Sequence, residues 1–115
     1  MSVSIKRVYE APAAADGVRI LVDRLWPRGL TKDKAKIDHW LKEVGPSNEL
    51  RQWFGHEPEK WPEFQKRYRA ELKANPALAE LKALTRKGKA TLVYGAKDEE
   101  RNQAVVLKQL LERAK

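Results

Sequence analysis

The chain has no cysteine. Disulfide staples, thiolate metal sites and a cysteine nucleophile are therefore excluded. Histidine is nearly as scarce: His39 and His56 are the only two, and they lack metal-ligand spacing, so no metal is expected. No apolar run approaches the roughly 18 residues that span a membrane. The opening MSVSIKRVYE lacks the apolar core of a signal peptide, and the expected location is the cytoplasm, without a membrane partner. Internal repeats and low-complexity segments are missing too. There is no Gly-rich phosphate loop and no dinucleotide fingerprint, so an anion would be gripped by side chains and not by a backbone nest; no cofactor is expected. The one linker-like stretch, APAAADG at 11–17, is too short to separate domains. A chain of 115 residues can bury its own core, and residues 1–115 read as a single domain.

What the chain does have is positive charge, with 24 Lys and Arg against 16 Asp and Glu for a net +8. Such a field attracts polyanions, nucleic acid included, and anionic small molecules, without specifying any of them. The cations are dispersed along the chain among carboxylates, the pattern of a solvated surface.

Hydrophobic periodicity orders the elements. Val3 to Tyr9 and the near-continuous apolar, β-branched VRILV at 18–22 read as strands, the second covered on both faces. Thr31 reads as the N-cap of a helix carrying Ile37, Trp40, Leu41 and Val44 on one face, stopped by Gly45-Pro46. Ser47 caps a short helix bearing Leu50, Trp53 and Phe54, ended by Gly55. Pro58 opens a helix with Trp61, Phe64, Tyr68 and Leu72 inward, and Asn75-Pro76 opens another with Leu78, Leu81 and Leu84. Thr91 to Tyr94 is a buried strand, and Asp98 caps a last helix carrying Ala104, Leu107, Leu110, Leu111 and Ala114. The expected fold is α/β: a small, mostly parallel sheet covered by helices, with a Trp-rich helical cap over one end. The orientation of the first strand is left open, because its connection to the second is shorter than a usual crossover.

In open α/β sheets ligands bind beyond the carboxyl ends of the strands. VRILV runs out into DRLWPRG, and ATLVY runs out into GAKDEERN. If these strands are parallel, Asp23, Arg24, Arg28, Tyr94, Lys97 and Asn102 converge on one crevice. Pro27 and Gly29 fit a type I turn that holds the arginines, whose planar forks suit carboxylate or phosphate oxygens. The structural alternative is that Asp23 simply pairs with Arg24 or Arg28 and pins the loop. Trp26 belongs to no periodic stripe; it either stacks on a planar ligand or guanidinium or plugs the core beneath the loop. Lys97 precedes a helix N-terminus that Asp98, Glu99 and Glu100 already complement, so a surface role is equally open to it. Asn102 reads as a partly inward amide that needs partners, and an ordinary hydrogen-bonding role between helix and loop is equally open to it. His56, flanked by Glu57 and Glu59, reads as a cap on the preceding helix in preference to a general base. Trp40, Trp53 and Trp61 read as core.

The motifs KRVYE, DGVRILVDRLWPRGL, PSNELRQWFGH and TLVYGAKDEERNQAVVL, in this order and spacing, resemble the YeaO-like branch of the domain-of-unknown-function 488 family. The likeness covers nearly the whole chain. It implies a compact α/β domain whose signature residues include Asp23, Arg24, Trp26, Pro27, Arg28 and Gly29. Ser47, Glu49, Leu50 and Arg51 match a second motif, and Tyr94, Ala96, Lys97 and Asn102 a third. Longer relatives often carry a Cys and a His-Arg pair after the last strand; DEERNQ here has neither Cys nor His, so thiol or His-based chemistry is not carried over. The resemblance adds Ser47 and Arg51 to the shared site.

The reading that follows is a binding site, catalytic or not, for an anionic small molecule such as a phosphorylated metabolite or nucleotide. Arg24, Arg28 and Arg51 clamp the charge, Asp23 orients them or acts as acid/base, and Trp26 or Tyr94 stacks. No nucleophile–base pair is visible, so no reaction class is assigned. Two alternatives stand beside it: nucleic-acid binding through the basic surface, and a non-catalytic interaction domain.

Overall fold

The structure is a computed structural model describing residues 3–113, so Ala114 of the expected last-helix stripe lies outside the described residues. Four parallel strands, β1 (Val3–Arg7), β2 (Val18–Leu21), β3 (His39–Trp40) and β4 (Ala90–Tyr94), form a sheet in the order β1-β4-β2-β3. The expectation of an α/β fold with a parallel sheet holds, and β1 is parallel like the rest. Helices are α1 (Lys32–Ala35), α2 (Asn48–Phe54), α3 (Trp61–Lys73), α4 (Ala77–Arg86) and α5 (Gln103–Arg113), with single 3-10 turns at Ala14–Asp16, Lys42–Val44 and Pro58–Lys60.

All five β4 residues are buried, as a central strand covered on both faces requires. Its Ala90, Leu92 and Tyr94 pack with Ile20 and Val22 of the β2 segment against Phe64, Tyr68 and Leu72 of α3, Leu81 of α4 and Leu107 and Leu111 of α5. Val93 points to the other face, against Val8, Ala35, Trp26, Leu30 and Ile37.

The segment 37–44 departs from the expected helix. α1 stops at Ala35 because Lys36 turns left-handed, at φ 49°. Asp38 then joins the edge of β2: its N–H donates to the Arg19 carbonyl at 2.9 Å, and its carboxylate accepts the Arg19 N–H at 2.8 Å. Leu41 continues this edge with an N–H bond to the Leu21 carbonyl at 3.0 Å. The spacing of Ile37, Trp40, Leu41 and Val44 fits a helix, but an open sheet edge offers backbone partners that a helix would forgo. Trp40 is accordingly not core. It is 39% exposed, meets Trp26 edge-on at 5.4 Å and donates its indole N–H to the Asp23 carbonyl at 2.7 Å.

At the amino end of the sheet Arg19 is 4% exposed and paired with Asp16 at 2.6 Å, while its remaining guanidinium hydrogens go to the Ala35 and Lys36 carbonyls. The Thr91 hydroxyl donates to the Asp16 carbonyl at 2.7 Å, tying β4 to the same corner. This polar knot fastens α1 and the two central strands together, far along the strands from their carboxyl ends.

Candidate functional site

The carboxyl ends of β2 and β4 are neighbours, and a single carboxylate joins them. Asp23 leaves β2 and accepts the N–H of Gly95, the first residue past β4, at 2.8 Å; the Gln103 side-chain amide donates to its other oxygen. No ion pair forms between Asp23 and Arg24 or Arg28 among the described residues, so a pinning pair of that kind is not what holds the loop. Burial pushes the Asp23 carboxyl up to about 6, against the lowering effect of the Gly95 and Gln103 hydrogen bonds and the Arg51 charge.

Above this carboxylate lies a cavity of about 250 Å³. Its polar wall is Asp23, Arg24, Arg51, Arg101, Asn102, Gln103 and His56; its apolar wall is Leu25, Pro46, Phe54 and Phe64, with Gly95 and Ala96 at the strand exit. Arg24 is aimed by its Nε, which donates to the Pro46 carbonyl at 2.7 Å and to the Gly45 carbonyl at 3.3 Å. Gly45 leaves room for this side chain: a Cβ there would crowd Arg24 Cγ at 3.2 Å and the Val22 carbonyl at 3.1 Å. Arg51 comes from α2 and is steadied by Asn48, whose Oδ1 accepts from its Nη2 at 3.1 Å. Arg101 is partly neutralised by Asp98, 3.2 Å away. The apolar wall is one end of an aromatic stack: Phe54 and Phe64 lie 4.4 Å apart, and Trp61 stacks on Phe64 at 5.5 Å.

Of the residues picked from the sequence, the structure thus brings Asp23, Arg24, Arg51 and Asn102 to one cavity. The other five face elsewhere. Trp26 lies on the opposite sheet face and donates its indole N–H to the Leu30 carbonyl at 2.7 Å. Arg28 is exposed, and its carbonyl accepts the Tyr9 hydroxyl. The turn beside it spans Pro27 to Leu30, one residue later than expected, with Gly29 at φ 82° in the third position as a type II turn demands. Ser47 caps α2 by accepting the Leu50 N–H, and its own hydroxyl and N–H go to the Glu71 carboxylate at 2.6 and 3.0 Å. The Tyr94 side chain sits in the main core, and Lys97 is exposed.

The last helix starts later than expected. Asp98 caps only the turn of residues 98–101, accepting from the Glu100 and Arg101 N–H groups, and α5 begins at Gln103. Asn102 takes the capping role: its Oδ1 accepts the Val105 N–H at 3.1 Å while its amide donates to the Asp98 carbonyl at 2.9 Å. Asp98, Glu99 and Glu100 therefore precede the helix and do not fill its end. His56 does not cap α2. The Gly55 N–H closes that helix on Arg51, and His56, at φ 57°, stands on the cavity rim 5.9 Å from Phe54.

Phe54, Phe64, Arg101 and Gln103 were not among the sequence-picked site residues. The two phenylalanines share stripes with true core residues. Arg101 and Gln103 flank Asn102 inside an acidic run, and their adjacency to that inward amide was the available signal.

Among the described residues, no cluster of three His, Cys, Asp or Glu side chains is placed to hold a metal ion, and no helix is long and apolar enough to cross a membrane. A family model described as the inactive DUF488-N3 subclade matches residues 2–115. The chain belongs to this family. It is 47% identical to an uncharacterized protein of Mycobacterium tuberculosis over 109 residues, covering 95% of this chain and 92% of that one. It is 43% identical to the uncharacterized protein YeaO of Escherichia coli over 108 residues, covering 93% and 94%. No solved structure matches the chain. Membership in a DUF488 branch with YeaO as a relative agrees with the resemblance drawn from the motifs.

Proposed function

We propose that the protein is a cytoplasmic binder of a small anionic molecule, held in the cavity at the carboxyl ends of β2 and β4. The observation that carries this reading is the charge of the cavity wall: three guanidinium groups, from Arg24, Arg51 and Arg101, against one carboxylate, Asp23, that pairs with none of them. Arg24 and Arg51 are held by backbone and amide oxygens, not by carboxylates, so their charge is available to a ligand. A cavity of about 250 Å³ is below the roughly 300–1,000 Å³ typical of drug-sized ligands, which favours a small metabolite over a whole nucleotide. The word "inactive" in the description of the family supports binding over turnover.

A second reading has one observation in its favour. A groove on α3 is lined by Gln65, Lys66, Arg69, Ala70 and Lys73, a local cationic strip of the kind nucleic acid meets. Thermal-shift and calorimetric screening of small anions and short oligonucleotides, at low and high salt, separates the two. A ligand binding at the cavity stabilises the wild-type protein and not folded Arg24→Ala or Arg51→Ala. Oligonucleotide binding that collapses with salt and survives both substitutions would replace the cavity reading with the nucleic-acid one.

A further inference from the structure

The cavity wall is sharply divided, and the division narrows the ligand class. On one side stand the stacked pair Phe54 and Phe64, with Leu25 and Pro46 beside them. On the other stand the guanidinium groups and Asp23. An apolar cavity of about 150 Å³ accepts a molecule the size of benzene. About 250 Å³ with one polar wall therefore suits a body of that size carrying a single small acidic group.

Resting on the reading of this cavity as an anion site, we infer that the ligand is a small carboxylic acid with a flat aromatic or branched apolar body, and not a phosphate ester. Phosphate sites are commonly built from several converging backbone N–H groups. Here the Gly95 N–H, at the point where such a loop would open, is already spent on Asp23. A phosphate dianion would also have to lie against the Asp23 carboxylate. A carboxylic acid brings one charge, and two carboxyl groups in one site accommodate each other by sharing a single proton. Arg24 and Arg51 then balance the remaining charge, and the apolar body covers Phe54 and Phe64. The raised Asp23 carboxyl, at about 6, makes that proton available close to neutral pH. The charged and titratable groups around Asp23 are Arg24 on its own segment, Arg51 and His56 from α2 and its exit, Tyr68 of α3, and Arg101 ahead of α5.

Calorimetry on the whole protein tests this with benzoate, phenylacetate, isovalerate, phenyl phosphate and inorganic phosphate, each in two buffers of different ionisation enthalpy. The expected result is binding of at least one carboxylate in preference to both phosphates. It is accompanied by uptake of close to one proton at pH 7.5, and affinity falls about tenfold per pH unit above 7. In Asp23→Asn the carboxylate still binds and the proton uptake disappears; in His56→Gln the uptake remains. The wild-type measurement in two buffers stands alone should Asp23→Asn not fold. Tighter binding of phenyl phosphate, lost in Arg24→Ala and Arg51→Ala, overturns the carboxylic-acid inference and leaves the anion site standing. Carboxylate binding without proton uptake overturns the shared proton and the inference with it. No binding of any of the five, or binding indifferent to Arg24 and Arg51, overturns both.

Discussion

The Asp23 carboxylate bridges two strand ends by accepting the Gly95 N–H at 2.8 Å. A carboxylate in that position ties β2 to β4 one residue beyond their last ladder bond, and among the described residues it forms no ion pair. Hydrogen bonds from a neutral backbone and a neutral amide stabilise the charge less than burial penalises it, so the group titrates at about 6.

The stability of the protein should carry the sign of that shift. In the unfolded chain an aspartate titrates at about 3.9, so between pH 4 and 6 the folded state holds the proton and the unfolded state does not. Folding stability from this group is greatest in acid and falls as pH rises. Between pH 4.5 and 7.5 the loss is about 2 kcal/mol. Asp23→Asn removes the titration. Urea unfolding of both proteins across this range should therefore show the variant gaining on the wild type as pH rises; a constant difference would falsify the assignment of a raised carboxyl to Asp23.

Substitution at two glycines should separate the cavity from the fold. A Cβ at Gly95 would lie 3.0 Å from Asp23 Oδ2, so Gly95→Ala displaces the carboxylate and costs about 1–2 kcal/mol, with loss of ligand binding at the cavity. At Gly17, at the other end of the sheet, φ is 67° and a Cβ would fall 2.3 Å from the Lys89 carbonyl. Gly17→Ala should cost more, about 2–4 kcal/mol, through left-handed strain and a backbone clash, yet leave ligand affinity unchanged in the folded fraction. Unfolding curves paired with calorimetry read both effects.

These two ends of the sheet also mark what the sequence made legible. The strand exits at Asp23 and Gly95 follow from two buried β-branched runs ending in polar residues, and helices between them favour parallel pairing. Asn102 is recognisable as an inward amide, although its helix starts a turn later than Asp98 suggests, because the 98–101 turn satisfies itself first. The segment from Ile37 to Val44 is not legible: its apolar spacing satisfies a helix, and only the open edge of β2, a tertiary partner, selects the strand. The cavity's aromatic wall is hidden for a related reason. Phe54 and Phe64 are core residues by pattern, and their place in the cavity wall depends on how α2 packs on α3, which local periodicity does not encode.

Trp26 offers a direct contrast between a ligand contact and a structural plug. It packs with Val8, Ala35 and Val93 on the sheet face opposite the main core and caps the Leu30 carbonyl. Trp26→Phe should lower stability by about 1–3 kcal/mol, from the lost hydrogen bond and the smaller ring. Affinity at the cavity should stay within about twofold of wild type, because 1.4 kcal/mol is needed for each tenfold change and no contact is removed there. A large affinity loss in folded Trp26→Phe would place this indole on the ligand after all.

The strongest single effect on folding should come from the buried pair at the amino end. Arg19 is 4% exposed, and among the described residues Asp16 is the one carboxylate paired with its guanidinium, with Lys6 adding a 3.2 Å contact to the same carboxylate. Asp16→Ala strands the guanidinium among carbonyl oxygens with its charge unbalanced, and removes the Ala13 N–H acceptor that shapes the turn into β2. Breaking one side of a buried pair costs about 3–5 kcal/mol, a large share of the 5–15 kcal/mol that holds a domain together. Replacing both partners, as in Asp16→Leu with Arg19→Met, should recover much of that loss, because the buried guanidinium goes with its carboxylate and Lys6, with its side chain 19% exposed, keeps access to water. Urea unfolding of the single and double variants decides it. A double variant no more stable than Asp16→Ala would show that the knot's bonds to the Ala35 and Lys36 carbonyls, and not its charge balance, hold α1 to the sheet.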